Sequence, residues 1–488
     1  MLSSLDCFAI PHLKFPAQKN RMDFLLLTIA LMILLLAGFG ASRLLASGHS
    51  QTGAELFGLS FLFGSAIVSL TSFLFGFLVS GATLRWSVTL LCVAIGAIGF
   101  RRCGLPNRDE LLPKSFAGKC LLALSLAQIA VVAWLSFQRV LGWDGLFNFE
   151  TKARLAFLNG GVLPLKFFSD PSRSWTLQSY PLMLPLTESW LYLWLGHEDQ
   201  QLVKILFPLF FAAALGLLSG GNRLLGIGSW QRFIAPLLIF TAPKLFVGDG
   251  SASSGYADFP LAVVYLAAVI YLLDFWRSGD RAALRLAGAI SACGCWLKQE
   301  GAILWFCLFA IAATSLALKR SNRRDWLELA KSALPGLLII VCWQWFVRAF
   351  GLKEIKQFSA IGVASLRGNL WRLPVIAESV SAELVNWRLW GIFWLIVAAA
   401  IVRMVWRRDS KDFRLMPLFV LLPVGLYSGV YVFSIWPSFI AHLESSFPRL
   451  LIHFSLVASL LVGAAVHFEF PLSSFRLLKG WPLMKQKN

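Results

Sequence analysis

Residues Tyr180–Gly196 read YPLMLPLTESWLYLWLG, and whether this stretch crosses a bilayer decides the orientation of everything that follows it. It is nearly as long and apolar as a crossing requires, since a helix needs about 20 predominantly apolar residues. Counted as a span, however, it would put every later basic loop on the side opposite the loop carrying Arg101, Arg102, Arg108, Lys114 and Lys119. Short Lys/Arg-rich loops face the cytoplasm, so the stretch is expected not to cross. Pro181, Pro185, Glu188 and the rings of Trp190, Tyr192 and Trp194 suit a helix lying in the interface, with amphipathic rings at headgroup level. The chain from 139 to 201 then forms one external loop with juxtamembrane helices.

Apolar runs recur on both sides of this stretch, with starts near Phe24, Leu56, Trp86, Cys120, Val203, Phe233, Ala257, Leu286, Ala302, Ala333, Leu389, Leu415 and Leu451. Of the 488 residues 58% are hydrophobic and 14% charged, against roughly 45–50% apolar and about 25% charged in a soluble domain. A soluble globule is excluded. The expectation is an all-α polytopic transmembrane helix bundle of about thirteen spans, because only helices or closed barrels satisfy the backbone in lipid. The other basic clusters are Arg277/Arg281/Arg285, Lys319/Arg320/Arg323/Arg324, Arg403/Arg407/Arg408/Lys411/Arg414 and the tail Arg476/Lys479/Lys485/Lys487, all placed inside. Further external segments run over 351–388 and 438–448. The organisation expected is additional amino-terminal spans over 1–118, a core over 119–467 and a cytoplasmic tail over 468–488.

The formal charge of +19 raises the question of nucleic acid. These basic residues sit in short clusters between apolar runs, as cytoplasmic loops do, so nucleic-acid binding is not expected. None of the eight cysteines falls in the segments placed outside, and no disulfide framework is implied. No phosphate-cradling glycine loop of the Walker or Rossmann kind occurs, and no histidines have metal-ligand spacing. Neither a metal nor another cofactor is expected.

Ionisable residues at membrane depth cost about 2.5–3.5 kcal/mol each on insertion scales, so those present suggest function. They gather at the external ends of the expected spans. Asp144, in GWDGLFNFETKARLAFLNGG, closely follows the span from Cys120. A short amphipathic helix from Phe147 is expected there, stopped by Gly160-Gly161. Asn148 and Lys152 share a stripe with Asp144 if that helix starts early enough. Asp258, in GYADFPL, precedes a proline suited to a first turn and equally reads as a helix-start carboxylate favouring the dipole. Lys298 and Glu300, in CWLKQEGAILW, form either an ion pair at a helix hairpin or part of a phosphate pocket. Arg449 and His453, in SFPRLLIH, are four apart on one helical face.

In this order the motifs resemble the GT-C superfamily of integral-membrane glycosyltransferases, in particular the family-39-like group related to protein O-mannosyltransferases and aminoarabinose transferases. The resemblance covers roughly residues 119–465 and rests on Asp144 after an early span, the proline-bearing helix at 180–196, Asp258 opening a later span, and Lys298 between closely spaced spans. Many relatives carry an adjacent acidic pair at the first motif; here Gly145 follows Asp144 and Glu150 is the next carboxylate.

The resemblance implies transfer of a sugar from a polyprenyl-phosphate donor to a glycan, lipid or protein acceptor outside a membrane, the bacterial inner or plasma membrane being the expected setting. It implies Asp144 as general base, and Lys298 with Arg449 and His453 as ligands of the lipid phosphate. Asp258, Lys152 and Glu300 are further candidates for substrate binding. The competing readings are a secondary transporter using the same charges as a proton or solute path, a lipid-linked glycan polymerase or ligase, and a noncatalytic scaffold. A transporter would place such groups near the midplane within internal repeats, and no repeat is detected.

Overall fold

The computed structural model describes residues 21–46, 51–103, 115–227, 231–351, 357–360, 362–406 and 413–467. The expected cytoplasmic tail, and several basic residues of the loops at 101–119 and 403–414, lie outside these. Everything described is helix, turn or loop apart from one isolated bridge, Phe358 to Ser434.

Four long helices come first: α1 (Arg21–Leu45), α2 (Gly53–Phe75), α3 (Gly81–Cys103) and α4 (Phe116–Gln138). A group of short helices follows: α5 (Thr151–Leu158), α6 (Leu165–Ser169), α7 (Met183–Leu195) and α8 (Gln200–Val203). Next are α9 (Leu206–Leu224), the six-residue α10 (Ile234–Ile239), α11 (Asp258–Ser278), α12 (Arg281–Leu297), α13 (Glu300–Leu318) and α14 (Arg323–Ala349). The chain ends with α15 (Val363–Asn369), α16 (Arg372–Leu384), α17 (Trp387–Trp390), α18 (Phe393–Trp406), α19 (Leu418–Val430), α20 (Phe439–Leu450) and α21 (Ile452–His467).

Among the described residues eight helices are long and apolar enough to cross a membrane, or nine if the α20–α21 pair, bent by 44°, is one span. The chain is therefore a helical, multi-pass membrane protein. Of the expected spans, those starting near Phe233, Leu286, Leu389 and Leu415 lack a helix that long. The first holds only α10, with Pro236 inside it and a loop of turns from Thr241 to Asp258 after it. The others are α12, α18 and α19, of 17, 14 and 13 residues.

Tyr180–Gly196 is not among the helices long enough to cross, as expected, but it is enclosed by protein where an exposed interfacial helix was expected. All thirteen residues of α7 are buried, packed against α1, α2, α3 and α5. Trp190 donates its indole N–H to the Ala30 carbonyl at 3.2 Å, and Arg85 donates to the Leu193 carbonyl. The reason is legible in the residues: α7 has a single charged residue, Glu188, among mostly apolar ones, and an interfacial helix needs a whole charged face. At about 1.5 Å per residue α7 is also too short to cross alone.

Buried charge marks the two ends of α11, the most enclosed of the long helices. At its carboxyl end Tyr271 donates to Glu55 of α2, with Arg223 of α9 3.7 Å from the same carboxylate. At its amino end lies the cluster described below. The amino-terminal helices meet at backbone contact: a Cβ on Gly38 would lie 1.7 Å from the Ser60 carbonyl oxygen, and one on Gly64 2.1 Å from that of Leu34.

This contact generates a stability prediction. Gly38→Ala forces α1 and α2 apart and should cost about 1–3 kcal/mol. Gly368→Ala, where nothing lies within 4 Å, should stay within about 0.5 kcal/mol of wild type. Thermal unfolding in detergent micelles distinguishes them, and equal midpoints would remove the close packing.

Candidate functional site

Asp258 opens α11 with Pro260 in its first turn, but its side chain does not cap the helix. The carboxylate faces the bundle interior and is shared by three partners. Lys298 Nζ lies 2.8 Å and His453 Nε2 2.9 Å from Oδ1, and Arg449 Nη2 lies 3.3 Å from Oδ2. Asp258 therefore stands in the first turn of α11, as the helix-start reading has it, and is also a hub that binds three cationic or protonatable groups.

Each partner arrives for a local reason. Lys298 is the extended C-cap of α12, in a hairpin with α13 so tight that a Cβ on Gly301 would lie 2.0 Å from the Gly294 carbonyl oxygen. Its ammonium also meets Glu300 Oε1 at 3.1 Å, so the hairpin ion pair is present together with the bond to Asp258. Burial alone would lower the Lys298 pKa; the Asp258 and Glu300 carboxylates outweigh it and hold the group above its ordinary value. Arg449 and His453 stand on either side of the α20–α21 bend, next to Pro448, which interrupts the helix ladder. If Nε2 of His453 donates to Asp258, Nδ1 is left to accept from the Tyr427 hydroxyl, 3.1 Å away.

Arg449 extends the network outward. Its Nη2 lies 2.5 Å from Asp144 Oδ2, and its guanidinium lies over the Tyr256 ring, 4.6 Å from the centroid. Asp144 Oδ1 accepts a bond from Asn148 Nδ2 at 2.9 Å. The helix expected from Phe147 starts earlier, as a π-helical turn over Gly145–Glu150 that runs into α5. Such turns recur at functional sites. Here the turn brings Asn148 back to Asp144. The expected stop holds: Gly160 and Gly161 have φ of +85° and +119°, and Gly161 N–H reaches back to the Ala156 carbonyl.

Gly145 has a steric reason to stand beside Asp144. A Cβ there would lie 2.7 Å from the Ser254 carbonyl oxygen. The next carboxylate, Glu150, points away and accepts from Tyr192 at 3.1 Å. It is raised above its ordinary pKa by burial, with Arg154 opposing.

Six of the seven candidates, Asp144, Asp258, Lys298, Glu300, Arg449 and His453, thus form one connected network. Lys152 does not join it by contact: its ammonium donates to the Leu177 carbonyl at 2.8 Å and faces the Tyr180 ring. Leu177 takes the left-handed conformation, φ +48°, to present that carbonyl. Exposure grades along the network. The side chains of Asp144, Arg449 and Glu300 are 17%, 21% and 20% exposed, whereas Lys298 is 2% exposed and Asp258 and His453 are fully enclosed. Beyond the enclosed end a shallow apolar crevice, no larger than a water molecule, lies between Leu261, Tyr265, Gly294, Gly301 and Trp305.

Sequence reasoning missed Tyr256 and Tyr427. The available signal was scarcity: the chain has 7 Tyr against 41 Phe, so a tyrosine here is a hydroxyl chosen over a plain ring. Among the described residues no group of three His, Cys, Asp or Glu side chains is arranged to hold a metal ion. The chain matches no family model, no curated protein and no solved structure.

Lys152 generates a pH prediction. Burial pushes its pKa down to about 7, with Asp144 working in the opposite direction. Between that value and the unfolded value of about 10.4 the unfolded chain binds a proton the folded chain lacks, so stability rises with pH across this window. Wild type should therefore gain stability from about pH 7 to pH 9, and Lys152→Met should lose that slope. Identical slopes by thermal unfolding would show that Lys152 titrates normally.

Proposed function

We propose that this chain is a membrane glycosyltransferase of the GT-C kind, moving a sugar from a polyprenyl-phosphate donor to an acceptor on the extracytoplasmic side. The observation that carries this reading is the graded exposure of the charge network. Its deep end, Asp258 with Lys298 and His453, is enclosed and fully paired, as a scaffold should be. Its open end presents a carboxylate and a guanidinium side by side, 2.5 Å apart, which are the two groups a glycosyl transfer needs.

In this mechanism Asp144, oriented by Asn148, takes the proton from the acceptor hydroxyl while that oxygen attacks the anomeric carbon. The bond from that carbon to the phosphate oxygen breaks, and its electron pair stays on the leaving phosphate. Arg449 stabilises the charge that develops there. An arriving phosphate competes with Asp144 for Arg449, so donor binding itself frees the carboxylate to act as base. Lys298, held between two carboxylates, keeps Asp258 and through it Arg449 in place. No metal is invoked, since cationic side chains supply the charge.

The orientation rests on charge. The ends of α11, α12 and α13 remote from the network carry Arg277, Arg281, Lys319 and Arg320, and basic residues favour the cytoplasmic side, which supports our reading of the network as external. Of the thirteen crossings in our reading, nine are helices long enough when the bent α20–α21 pair counts as one; the other four need the flanking chain of α10, α12, α18 and α19 to complete them. The bacterial inner or plasma membrane is the proposed location.

Asp144→Asn keeps size and shape but removes the base. In proteoliposomes carrying polyprenyl-phosphate sugars and acceptor from the host envelope, it should lower turnover by about 10²–10⁴-fold with an unchanged melting profile. A folded variant with full turnover would end the role given to Asp144.

A further inference from the structure

The two permanent cations of the network are already matched: Lys298 by Asp258 and Glu300, Arg449 by Asp144 and Asp258. An anion joining this site needs positive charge that is not yet taken. Lys244 supplies it. It sits in the 3-10 turn Pro243–Leu245, is 8% exposed, and has no hydrogen bond or ion pair to any described residue. Its ammonium rests against Gly248, 3.7 Å from where a Cβ would stand.

Two further donors meet the same turn with no partner. Ser251 is fully buried and its hydroxyl makes no hydrogen bond, and Arg449 Nε is buried and free although the other end of its guanidinium is paired. A Cβ on Gly250 would lie 3.3 Å from both Arg449 Cγ and Asp258 Cβ, so the turn packs directly on the network. Gly248 and Gly250 have φ of +85° and +82°, the left-handed region where glycine bends a chain cheaply. Turns of this kind can present backbone N–H groups to an anion. The carboxylates of Asp249, Asp258 and Glu383 lie within electrostatic reach of Lys244, as does the Arg449 charge.

We propose that the turn Gly248–Ser251 is a phosphate-binding site in which Lys244, Ser251 and Arg449 Nε hold the phosphate group of a lipid-linked substrate. Only the lipid carrier rests on the glycosyltransferase reading; the phosphate itself is inferred from the three unpartnered donors. Burial holds Lys244 below its ordinary pKa, with Asp249 opposing, so a bound phosphate also relieves a poorly compensated charge. The network, by contrast, needs no further anion for its own balance.

The test uses the full chain in maltoside micelles, with affinities measured for farnesyl monophosphate, inorganic phosphate and farnesol. Wild type should bind farnesyl monophosphate and bind farnesol far more weakly. Lys244→Met should weaken the phosphate ligand by about tenfold or more, as loss of a charged hydrogen bond does. Lys244→Arg, which keeps the charge, should retain most of the affinity.

Inorganic phosphate binding with the same dependence on Lys244 supports a site for the free group; binding of farnesyl monophosphate alone supports a lipid headgroup site. Equal affinity in wild type and Lys244→Met, or farnesol binding as tightly as its phosphate, overturns the proposal. Should Lys244→Met fail to fold, acylation of Lys244 in wild type, read by mass spectrometry, replaces it. Protection by farnesyl monophosphate supports the site, and none overturns it. A wild type that transfers sugar without such protection loses this site and keeps the glycosyltransferase reading; protection without transfer does the reverse.

Discussion

One buried carboxylate organises the functional end of this bundle. Asp258 belongs to α11, Lys298 to the α12–α13 hairpin, and Arg449 and His453 to the two sides of the α20–α21 bend. A carboxylate removed from water loses several kcal/mol of solvation, and only good partners restore it. Three partners on three separate elements therefore make the relative placement of those elements a condition for ionising Asp258 at all. Removing one leaves charge uncompensated, at about 3–5 kcal/mol for such buried pairs. The position of Arg449, and hence of Asp144 beyond it, follows from that constraint.

The proposed function rests on the division between the closed and open ends of this network. A cluster that only pins helices is best fully enclosed. Here the charges lead from Asp258 to Asp144 and Glu300, which remain about a fifth exposed. The same step outward brings Arg449 against Tyr256 and the Gly248–Gly255 loop, a wall of glycine and serine with Asp249, Ala252 and one tyrosine.

Much of this was legible in residues. Asp144, Asp258, Lys298 and the Arg449/His453 pair stood out because charge beside apolar runs is rare, and charge bookkeeping put them at one end of the bundle. Their partners were not legible, since Asp258 meets residues 40 and 195 positions away and no local spacing encodes that. The burial of α7 was misread because aromatics and prolines suit an interface as well as an interior; the absence of a charged face on Met183–Leu195 was the deciding feature. Lys244 was hidden for the opposite reason. A single lysine in TAPKLFVGDG looks like an ordinary loop residue, and only its burial without a partner marks it.

The most direct test of the central claim is a mass-spectrometric comparison of glycolipids and surface glycans from cells with and without the intact gene, with wild type restored alongside. The account predicts a sugar lost on deletion and regained on restoration, which would identify sugar and acceptor together. An unchanged glycan profile across several growth conditions would contradict it and leave the buried charges to be explained by solute or proton transport.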